Sequence, residues 1–88
     1  MNPVYTFGSK LSEITHHSES ACVGLICLAI KDAGKTTQDM DYQAYKTVFQ
    51  DYLPKRLEKA QVSGGEMVIA EMVKLLGQNQ SLFTMSVR

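Results

Sequence analysis

The chain has 88 residues, nine Lys and Arg balanced by nine Asp and Glu, 44% hydrophobic content and a pI near 6.7. That length fits one small domain, and the absence of net charge excludes the long-range positive field on which a non-specific nucleic-acid or anionic-membrane binder relies. Leu, Ile, Val and Phe supply 22 of the 88 residues, enough to build a packed core and to exclude disorder as the default reading.

Taken in chain order, Val4-Tyr5-Thr6-Phe7 is β-branched and aromatic and is closed by Gly8-Ser9, which reads as a short strand or an extended arm. Ser12 or Ser18 can then cap a first helix, predicted over 18–33, with Glu19 in its first turn and Gly34 at its end. Its segment Ala21–Ile30 is the longest apolar run, at ten residues. A membrane-spanning helix needs ~20, so the run is expected to lie in the core, and no membrane partner is expected.

Asp39 or Asp41 can cap a second helix, predicted over 41–53. Tyr42, Tyr45, Val48, Phe49, Tyr52 and Leu53 fall on one stripe of it. Pro54 is expected to end or kink this helix, and 55–60 could form an extra helical turn. Val62-Ser63-Gly64-Gly65 is the strongest break, and Ser63 with Glu66 has capping-box spacing before a third helix predicted over 66–76. Residues 81–87 could close the chain as a strand or a tail. The fold class expected is therefore mainly all-α: one small three-helix domain, residues 1–88, with an extra turn and short extended termini.

Several strings suggest chemistry. Ala29 to Thr36 satisfies a permissive phosphate-loop pattern, with Lys35 and Thr36 in the roles of phosphate and Mg²⁺ ligands. A polar delay before the next helix and the lack of room for a parallel sheet argue for a helix C-cap instead. His16, His17, Cys22 and Cys27 do not have zinc-ligand spacing, because positions one or five apart on a helix diverge. No metal, cofactor or catalytic residue is expected, and two buried thiols are the simpler reading of the cysteines. The first twenty residues show no secretory pattern, so a cytoplasmic location is expected.

Glu19-Ser20-Ala21, Gly24 and Gly34 resemble, at their spacings, the small enteric biofilm and acid-resistance regulators. The likeness covers five positions, is not followed by the second and third helices, and implies a helical, dimeric connector protein.

Two working surfaces stand out. The first is apolar: Tyr42, Tyr45, Phe49 and Tyr52 on the second helix with Met67 and Met72 on the third, more apolar area than three helices can bury. It predicts a non-catalytic interaction or regulatory module, homodimeric through an apolar helical face, with a further protein partner unidentified. The alternative is a nucleic-acid-binding regulator that uses the patch Lys46, Lys55, Arg56 and Lys59. A small nucleotide-binding or thiol enzyme is the lesser alternative.

Overall fold

The computed structural model describes residues 3–80, and all of the regular structure there is helical. Helix α1 spans Pro3–Thr15 and α2 spans Glu19–Asp32. After a 3₁₀ turn at Thr37–Asp39, α3 runs over Tyr42–Thr47 and passes through a π turn at Val48–Tyr52 into α4, Leu53–Lys59. Helix α5, Gly65–Gln78, closes the bundle. The all-α class is as the sequence indicates, with four helical rods rather than three, since α3, the π turn and α4 are continuous over 42–59.

The largest departure from the sequence reading is α1. Its opening residues form no strand or extended arm. Pro3 occupies the first helical position, where its missing N–H costs nothing, and Val4, Phe7 and Leu11 then fall at helical spacing on one buried face. Gly8 is not a terminator. It is buried where α1 crosses α2: a Cβ there would overlap Val23 Cγ2 and lie 3.3 Å from the Val23 Cα, so glycine sets the approach of the two helices. The expected extension of the C-terminal end, at 81–87, lies outside the described residues.

Helix α2 begins at Ser18, whose hydroxyl accepts from the Ala21 N–H at 3.2 Å, so Ser18 and not Ser12 is the cap. Its far end is a Schellman turn: Gly34 has φ 75°, and the Lys35 N–H donates to the Ile30 carbonyl at 3.2 Å. Asp41 caps α3 by accepting from the Ala44 N–H at 2.8 Å. Asp39 instead accepts from the Thr36 hydroxyl at 2.9 Å and ties down the 3₁₀ turn. The Ser63–Glu66 capping box does not form, because left-handed Gly64 (φ 69°) takes the cap position and leaves Ser63 one residue too early. Gly77 does not stop α5, which runs on to Gln78 and is closed by Asn79, whose side chain donates to the Leu75 carbonyl at 2.8 Å.

Pro54 does not break the 42–59 rod. A proline inside an α-helix removes one hydrogen bond and pushes its ring against the carbonyl four residues back. Here the turn before it is widened, with the Leu53 N–H reaching the Val48 carbonyl five residues back, and the rod continues.

One core joins all four rods. Phe7 from α1 packs against Tyr45 with ring centroids 5.0 Å apart, and against Phe49 edge-on at 5.1 Å. Cys22, Ile26 and Ile30 from α2, Leu53 and Leu57 from the π turn's far side, and Val68, Met72 and Leu76 from α5 complete it. Burial pushes the Tyr45 phenol up to about 12, with a smaller contribution from nearby Cys27. The unfolded phenol ionises near 10, so above that pH the unfolded chain releases a proton that the folded chain keeps. Stability is therefore full below pH 10 and falls between pH 10 and about 12, by roughly 2–3 kcal/mol over the two pH units. Tyr45→Phe is expected to flatten this alkaline limb in urea titrations at pH 9 and pH 11.

Candidate functional site

Three of the six residues expected to form an apolar working surface are interior. Tyr45, Phe49 and Met72 are each 0% exposed, because α1 supplies the covering face that three helices lacked. Tyr42 and Tyr52 are half-buried, and only Met67 stands out, at 76% exposure. The apolar surplus inferred from the sequence is thus largely absorbed within the chain.

The basic patch is also spent in part on an internal contact. The Arg56 guanidinium donates through Nε and Nη2 to the two carboxylate oxygens of Asp32, each at 2.7 Å, fastening α4 to the end of α2. The hydrogen bond and charge of Arg56, with Lys59 and Lys31 nearby, hold the Asp32 carboxyl below its usual range. Lys46 is half-buried, which leaves Lys55 and Lys59 as the exposed cations of the four.

The phosphate-loop string is placed as a helix ending. Ala29–Asp32 are the last residues of α2, and Gly34 is its left-handed cap. The negative pole of a helix faces Lys35 and Thr36, the opposite of the positive pole that cradles phosphate. Cys22 is buried with its sulfur 3.7 Å from the Thr15 hydroxyl, and Cys27 is half-buried; both are free thiols. No group of three or more His, Cys, Asp or Glu side chains among the described residues could hold a metal ion. No helix among them is long and apolar enough to cross a membrane.

What the sequence did not point to is a cleft of about 350 Å³ at one end of the bundle, where two interhelical turns meet. Ile14 comes from the last turn of α1 and His16 and His17 from the α1–α2 turn; Gln61 and Val62 come from the α4–α5 turn and Met67 from the first turn of α5. Each turn holds one left-handed residue that is not glycine. His16 has φ 64° and its N–H donates to the Ser12 carbonyl at 2.8 Å; Ser12 Oγ in turn donates to the His17 carbonyl at 2.6 Å. Gln61 has φ 59°, and the next N–H, of Val62, donates to the Leu57 carbonyl at 2.9 Å in a second Schellman turn.

These are the only non-glycine residues with positive φ among the described residues, and both line this cleft. A side chain in this region strains the backbone. Gln61→Gly and His16→Gly are each expected to raise stability by about 0.5–1 kcal/mol, the relieved strain less the flexibility glycine adds to the unfolded chain. Chemical denaturation of the two variants checks this. A sequence signal for the cleft existed only in part: Val62-Ser63-Gly64-Gly65 marks one turn, but no glycine marks the residue at either 16 or 61.

No family model matches the chain, and no curated protein or solved structure matches it.

Proposed function

We propose that the chain is a small non-catalytic interaction module that pairs with a second copy of itself through the end of the bundle carrying the cleft. The observation that carries this reading is Met67, 76% exposed beside a cleft of about 350 Å³ whose walls include Ile14 and Val62. A two-fold interface uses the same patch on both partners, and a projection beside a recess makes such a patch self-complementary. Met67 and the cleft supply both. Methionine is flexible and polarizable enough to fill a recess of irregular shape.

The test is solution mass by light-scattering chromatography, at low and high salt, with and without a DNA duplex. The wild-type chain is expected at twice 9.8 kDa, insensitive to salt and to DNA. Met67→Glu places a charge in the contact and is expected to run at 9.8 kDa with an unchanged melting temperature at low concentration, since an exposed side chain contributes little to the core. A wild-type monomer at all concentrations overturns the proposal. A mass that rises with DNA only at low salt overturns it in favour of Lys55, Lys59 and their neighbours as the working surface.

A further inference from the structure

We draw no further inference here: the strongest candidate outside the cleft already described, the groove of about 540 Å³ where exposed Tyr5 on α1 faces Ser20 and Val23 on α2, is an open surface and nothing in the structure shows what covers it.

Discussion

Phe7→Ala is expected to destabilise the domain by about 3–5 kcal/mol, the range for removing a fully buried phenylalanine. The ring is 0% exposed and lies within about 5 Å, centroid to centroid, of both Tyr45 and Phe49, so its loss leaves two further aromatic rings facing a void. A domain of this size has a net stability of only a few kcal/mol, so the variant should be largely unfolded at 37 °C. Circular dichroism melts and urea titrations read the effect directly. The measurement also decides what the N-terminal segment is: truncating a side chain on a loose arm would change stability by a few tenths of a kcal/mol.

The second large effect is at Gly8. Adding one methyl group in Gly8→Ala sets it against Val23 Cγ2 and close to the Val23 backbone, and only the side-chain part of that obstruction can rotate away. Overpacking of this kind costs about 1–3 kcal/mol. It outweighs the gain of up to 1 kcal/mol that alanine normally brings to a helix interior. The net loss of about 1–2 kcal/mol is expected to lower the melting temperature by roughly 4–16 °C for a chain of this length. Shortening the obstructing side chain in Gly8→Ala/Val23→Ala should give back part of the loss, so that the double variant is more stable than the sum of the two singles. Additive losses would show that the two helices do not meet at this point.

The success and failure of sequence reading divide by whether the determining contact is local. The boundaries of α2 were legible within a residue because Ser18 and Gly34 act on their own backbone neighbours. Most of the 42–53 stripe was legible for the same reason, and so was α5. At the N-terminus local cues point the wrong way. Val4, Tyr5, Thr6 and Phe7 have strand propensity and Gly8 resembles a stop, yet the i, i+3, i+7 spacing of Val4, Phe7 and Leu11 prevails once α2 offers a surface. The role of Gly8 is invisible without Val23, fifteen positions away.

The same limit governs the site. Tyr45, Phe49 and Met72 are legible as apolar and helical, but their exposure depends on how many helices share the core, and local cues conceal α1. Arg56 was legible as a cation, whereas its partner Asp32 lies 24 positions earlier. The cleft joins two turns distant in sequence, and glycine announces only one of its left-handed residues, Gly64, and neither His16 nor Gln61.

The π turn at Val48–Tyr52 does more than make room for Pro54. Tyr45, Phe49, Leu53 and Leu57 recur every four residues and are all 0–1% exposed. On an unbroken α-helix each four-residue step overshoots a full turn by about 40°, so Leu57 would sit roughly 120° away from Tyr45. A turn that takes in one extra residue returns about 100° of that. The π turn is thus a phase correction: it converts a four-residue repeat into a straight seam, and aims the Arg56 guanidinium and the Leu57 side chain at α2 and the core at once. Within 48–52 the outward-facing Gln50 and Asp51 contribute their count to this phase correction, while Val48 and Phe49 contribute their side chains to the core.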